Sequence, residues 1–148
     1  RDSLKVSGNL DSEIGGRPVA LDREPFSQRR SLYGLVDRQN LPGFFRTFDF
    51  ANPDHHSPRR FETTVPQQAL YLLNSPFILH QAGVIAGEPV ANGVTDDERL
   101  RWLFRRILSR EPDPDELRQA MEYVGATGEN WETFAQILLS TNEFAFID

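Results

Sequence analysis

The sequence contains no cysteine, and no apolar run approaches the ~20 residues that a membrane-spanning helix needs. The missing cysteine excludes disulfides, thiolate metal sites, cysteine nucleophiles and covalent c-type haem attachment within these 148 residues. The first residues do not resemble a signal peptide, and there is no initiator methionine. We therefore expect a fragment of a larger protein, with no transmembrane segment in the fragment itself.

Positive charge is scarce in the second half of the chain. Residues 88–148 carry 6 Lys and Arg against 13 Asp and Glu, whereas residues 1–87 carry 10 against 9. Nucleic-acid phosphates require a basic surface, so this distribution argues against a nucleic-acid partner. The acidic side chains are instead expected to cap and solvate helices.

The composition predicts a single domain over residues 1–148. Hydrophobic residues make up 39% of the chain, and 11 Phe and 2 Trp are enough for an aromatic core. Ten Pro and ten Gly fall mostly in the first two-thirds, which predicts long ordered loops there. We expect a loop-rich part over 1–62, with a short strand and helix, and a helical part over 63–148.

The loop-rich part contains three short predicted elements. Residues 1–10 have the pattern of a helix end closed by Gly8. Residues 29–38 have the aromatic and β-branched content of a short strand, and 18–21 are expected to pair with them in a small β-ribbon. A short helix with three phenylalanines on one side is predicted over 40–50, followed by a polar loop.

Two helices meeting at a bend are predicted at the start of the helical part. Thr63 and Thr64 are suitable N-cap residues, and Pro66 follows near the first helical position. The Asn-Ser-Pro run at 74–76 interrupts the apolar stripe, because a residue that precedes proline is pushed out of the α region. Ser75 is expected to cap the second helix, and Gly87 to end it.

Three amphipathic helices with short connections are predicted at the C-terminal end. Thr95 and Glu98 form a capping box, and Asp113 with Glu116 repeats the pattern. Asn130 is expected to cap the last of the three. The predicted fold is therefore mainly α: five to six helices with an antiparallel C-terminal three-helix unit, plus the ribbon and loops of the N-terminal half.

Two long motifs carry a resemblance to a known family: RRSLYGLVDRQNLPGFFRTFDFANPD from residue 29, and SPRRFETTVPQQALYLLNSPF from residue 57. They resemble the planctomycete-type C-terminal domain of unknown function, the module that closes large planctomycete proteins with cytochrome-c-like domains. The resemblance implies a secreted, periplasmic or cell-envelope location. It also implies haem elsewhere in the parent protein, no cofactor within this fragment, and no catalytic residue.

A metal-site hypothesis concerns four side chains between residues 49 and 56. Carboxylates and imidazoles bind zinc or iron. The four side chains are Asp49, Asp54, His55 and His56. Adjacent histidines rarely chelate one metal together, so a solvated loop or an interface is the alternative.

A second hypothesis concerns arginine pairs and neighbouring hydroxyls, since guanidinium groups suit carboxylates and phosphates. The predicted anion- or partner-binding residues are Arg29, Arg30, Arg59, Arg60, Thr63 and Thr64. An acidic sugar at the helix N-terminus is one possible ligand. The alternative is that Arg59 or Arg60 pairs internally with Asp49, Asp54 or Glu62 and attaches the long loop to the helices.

Two functions from different classes remain open. The first is a non-catalytic accessory module that docks onto other domains of the parent polypeptide through its apolar, Arg-rich first half. The second is a ligand-binding or enzymatic part in polysaccharide processing or redox chemistry, with Arg59, Arg60, His55 and His56 in a cleft. Possible partners are therefore the neighbouring domains and carbohydrate. A self-associating envelope protein is a third possibility.

Overall fold

The computed structural model of the protein describes residues 2–21, 23–37, 66–89, 93–125 and 130–145. Within these ranges the regular elements are α1 (Asp2–Val6), a 3-10 turn (Ser31–Tyr33), α2 (Pro66–Asn74), α3 (Pro76–Gly87), α4 (Asp96–Leu108), α5 (Pro114–Gly125), α6 (Trp131–Leu139) and α7 (Asn142–Ala145). The predicted mainly α fold is confirmed, with seven α-helices in the described ranges where five or six were expected.

The predicted β-ribbon is not confirmed. Val19 and Gly34 form one isolated parallel bridge, and Asp11 and Arg29 form another. The Val19 N–H donates to the Tyr33 carbonyl at 2.9 Å, and the Leu35 N–H donates to the Val19 carbonyl at 2.8 Å. Because the 3-10 turn coils the chain between the two bridges, no continuous ladder can form along this segment.

The two predicted capping boxes are present and explain where α4 and α5 begin. The Glu98 N–H donates to Thr95 Oγ1 at 3.4 Å, and the Thr95 N–H donates to Glu98 Oε2 at 2.9 Å. At α5, the Glu116 N–H donates to Asp113 Oδ1 at 2.8 Å, and the Asp113 N–H donates to Glu116 Oε2 at 2.9 Å. Each box satisfies backbone donors that the first helical turn leaves open.

Other predicted helix ends have mixed outcomes. Gly8, with φ of 72°, follows α1 as expected, and the bend between α2 and α3 falls at Ser75. Ser75 and Asn130 occupy their predicted N-cap positions, but neither side chain makes a capping hydrogen bond. The predicted caps Thr63 and Thr64, the helix over 40–50 and the loop over 51–62 lie outside the described residues.

The core is centred on α3 and α6, which pack on each other more extensively than any other pair of described helices. Ala82, Ala86 and Ala135 are fully buried, and their small side chains let helix backbones approach closely. The helices α4, α5 and α6 also pack on one another pairwise. The larger core side chains are Ile78, Ile85, Leu100, Leu103, Phe104, Ile107, Val124, Phe134, Leu138 and Leu139.

Two buried glutamines tie distant parts of the chain to this core. Gln81 Oε1 accepts from Ser7 Oγ at 2.5 Å and from Asn9 Nδ2 at 3.2 Å, which holds the N-terminal segment against α3. Gln136 Nε2 donates to the Leu73 carbonyl at 2.5 Å, which joins α6 to the end of α2. Buried amides of this kind are stable only when they are hydrogen-bonded.

Candidate interaction surface

The described residues include two of the predicted site residues, Arg29 and Arg30. The others lie outside the described ranges: Asp49, Asp54, His55, His56, Arg59, Arg60, Thr63 and Thr64. The metal-site hypothesis and the anion site at the start of α2 therefore remain predictions.

Arg29 is engaged inside its own domain. Its guanidinium donates to the carbonyls of Glu13 at 3.3 Å, Arg17 at 3.5 Å, and Gly15, and it lies 4.4 Å from the centre of the Tyr33 ring. Gly16 makes this possible, because its φ of 91° suits glycine and a Cβ there would lie 2.9 Å from Arg29 Nη1. Arg29 thus holds the loop at 13–17 in place, and a binding role for it stays a prediction.

Arg30 differs from its neighbour. Its side chain is half-buried, yet among the described residues its guanidinium makes no hydrogen bond and no ion pair. Its backbone carbonyl accepts the Tyr33 N–H at 2.9 Å and so closes the 3-10 turn. The turn therefore fixes the backbone of Arg30, and no Arg30 side-chain nitrogen is among the atoms that are buried without a partner.

Three aliphatic side chains follow Arg30 at the surface. Leu32 is 75% exposed, Leu35 52% and Val36 38%. Single exposed apolar residues are normal on soluble proteins, but a concentration of them marks an interaction surface. We call Arg30, Leu32, Leu35 and Val36 the docking strip.

The inner side of the same segment explains why these side chains face outward. Tyr33 is half-buried beneath the Arg29 guanidinium. Gly34 lies against the Leu21 side chain so closely that any Cβ at this position would collide with it. Since Tyr33 and Gly34 fix the inward face, Leu32 and Leu35 on either side of them remain exposed.

The arginines of the helical half, unlike Arg30, have partners among the described residues. All six arginines after residue 88 have an acceptor or lie against an aromatic ring. They are Arg99, Arg101, Arg105, Arg106, Arg110 and Arg118. Arg99 illustrates the pattern: it donates to the Ala86 carbonyl at 2.7 Å, at the end of α3, and lies 3.9 Å from the centre of the Trp131 ring.

Arg110 is the centre of the strongest charged network in the described residues. It forms two bidentate pairs, with Glu116 at 2.7 and 2.8 Å and with Glu143 at 2.6 and 2.9 Å. Hydrogen bonds from Arg110, and next from the Asp113 backbone N–H, lower the pKa of Glu116 to about 2. Hydrogen bonds from Arg110 also lower the pKa of Glu143. The same bonds raise the pKa of Arg110. This network joins the α4–α5 connection to the first turn of α5 and to α7.

An open groove of about 350 Å³ lies between α4 and α5. It is lined by Asp97, Arg101, Pro112, Pro114, Leu117, Arg118 and Met121. Both of its arginines already pair with carboxylates. Within the described ranges, no three metal-ligating side chains lie close enough to share an ion, and no helix combines the length and apolarity needed to cross a bilayer.

These features define a mainly helical domain with an exposed aliphatic strip on its irregular half. The model of the PSD1 family, described as a protein of unknown function (DUF1553), matches residues 1–124, and the chain belongs to this family. This confirms the expected membership of a family of unknown function. No curated protein and no solved structure matches the chain.

Proposed function

We propose that this chain is a non-catalytic accessory module that binds other domains of a larger polypeptide through the docking strip. The observation that carries the proposal is the exposure of Leu32, Leu35 and Val36 within five residues of one well-anchored segment. An exposed aliphatic surface of this kind is suited to protein contacts.

The free energy that burial of the docking strip can contribute is small, and this suits association between domains of one polypeptide. Full burial of one leucine side chain contributes about 1.5–3 kcal/mol. When this value is scaled by the exposed fractions of Leu32 and Leu35, burial of both side chains would contribute roughly 2–4 kcal/mol. A flexible linker gives an effective concentration of millimolar order. A contact with a net binding free energy of about −4 kcal/mol is half-occupied at that concentration. Because association also costs translational and rotational freedom, burial of Leu32 and Leu35 would have to be joined by further contacts to reach that value.

The non-catalytic part of the proposal is supported by how the described charged groups are used. Arg29 holds a loop, Arg99 caps α3, and Arg110 joins three segments through Glu116 and Glu143. Perturbed carboxylate pKa values accompany catalytic sites, but ion-pair networks that only stabilise a fold perturb them as well. The lowered pKa values of Glu116 and Glu143 have the second cause, since hydrogen bonds from Arg110 are the largest contribution to both shifts.

The proposal extends to the parent polypeptide on the strength of the sequence resemblance. We infer a planctomycete protein that is secreted, periplasmic or part of the cell envelope. Its other domains would include cytochrome-c-like modules that hold haem, while this module holds no cofactor. Those neighbouring domains are the proposed partners of the docking strip.

The test is a titration of the chain with the remainder of its natural polypeptide, produced separately and followed by NMR, which detects weak association. Leu32→Asp should weaken binding by at least about tenfold, because it removes apolar burial and places a charge in the interface. Met121→Asp is the matched control, since Met121 is an exposed apolar residue of the helical half. No association of the wild type, or equal effects of the two substitutions, would rule the proposal out.

A further inference from the structure

We draw no further inference here: the strongest candidate, the open groove of about 350 Å³ between α4 and α5, carries none because both arginines on its walls already pair with carboxylates and nothing in the structure shows what covers its apolar lining.

Discussion

Replacing Arg110 by glutamine should remove the network that holds the α4–α5 connection, α5 and α7 together. The substitution keeps a long polar side chain but deletes both bidentate carboxylate pairs, with Glu116 and with Glu143. It also leaves the two glutamates near each other without the cation between them. The backbone hydrogen bond from Asp113 to Glu116 is unaffected by the change.

The expected loss follows from the exposure of the three groups. The Arg110 side chain is 38% exposed, that of Glu116 33% and that of Glu143 44%, so solvent screens the pairs substantially. Exposed ion pairs contribute about 0.2–1 kcal/mol each, and bidentate geometry places these two at the upper end. We therefore expect a loss of about 1–2 kcal/mol at pH 7. For a chain of this size the midpoint of thermal unfolding should fall by about 2–8 °C.

The dependence on pH gives a second, independent readout. Arg110 is the largest cause of the lowered pKa of both glutamates in the folded state, and together with the Asp113 backbone hydrogen bond it brings the pKa of Glu116 to about 2, compared with about 4.3 in unfolded chains. A lowered folded-state pKa contributes stability above the unfolded-state value, and the contribution is lost as the pH falls toward the folded-state value. The stability difference between wild type and Arg110→Gln should thus be complete at pH 7 and shrink from about pH 4.3 downward.

Arg118→Gln is the control, because it also removes an arginine from a carboxylate pair. Its partner is Asp115 at 2.7 Å, but the two side chains are 70% and 78% exposed. This variant should lose less than about 0.5 kcal/mol in urea unfolding experiments. Equal losses in the two variants, or a loss in Arg110→Gln that does not change between pH 7 and pH 3, would refute the reasoning.

Three further substitutions test the packing and the helix start. Gln81→Leu should lower the free energy of unfolding in denaturant by about 1–3 kcal/mol, because Ser7 and Asn9 lose the acceptor that they share. The control Gln119→Leu, at an exposed position, should change the free energy of unfolding little. Leu139→Ala should cost about 2–5 kcal/mol at a fully buried position, and the partly exposed Ile137→Ala clearly less. Thr95→Ala should cost about 1 kcal/mol by removing the N-cap acceptor of α4, a loss that thermal unfolding would detect.

The features that the sequence predicted correctly are those determined by neighbouring residues. The capping box at Thr95 and Glu98 needs only four residues and no distant partner, so its pattern is sufficient evidence. The bend at Ser75 and the end of α1 at Gly8 follow likewise from local proline and glycine chemistry. The strand predicted over 29–38 depended on β-propensity, which describes how side chains pack and does not fix the backbone. The structure instead has a 3-10 turn directly after Arg30.

The sequence named both Arg29 and Arg30 as candidate site residues, but it could not predict that their surroundings would differ. Arg29 and Arg30 have the same side chain and adjacent positions, and nothing in their local sequence distinguishes them. The distinction depends on where the loop at 13–17 places its carbonyls, which meet Arg29 and not Arg30. The role of Gln81 also depends on tertiary structure and not on local sequence, because its partner Ser7 lies 74 residues away in the chain.

The most direct test of the docking function is hydrogen exchange at residues 31–36, measured in this chain alone and in the complete natural polypeptide. A docked neighbour would exclude water from the strip and order its backbone, so we predict that these amides exchange at least about tenfold more slowly in the complete polypeptide. The amides of α5 provide the internal reference and should be unchanged. Equal exchange at residues 31–36 in the two samples would contradict the account.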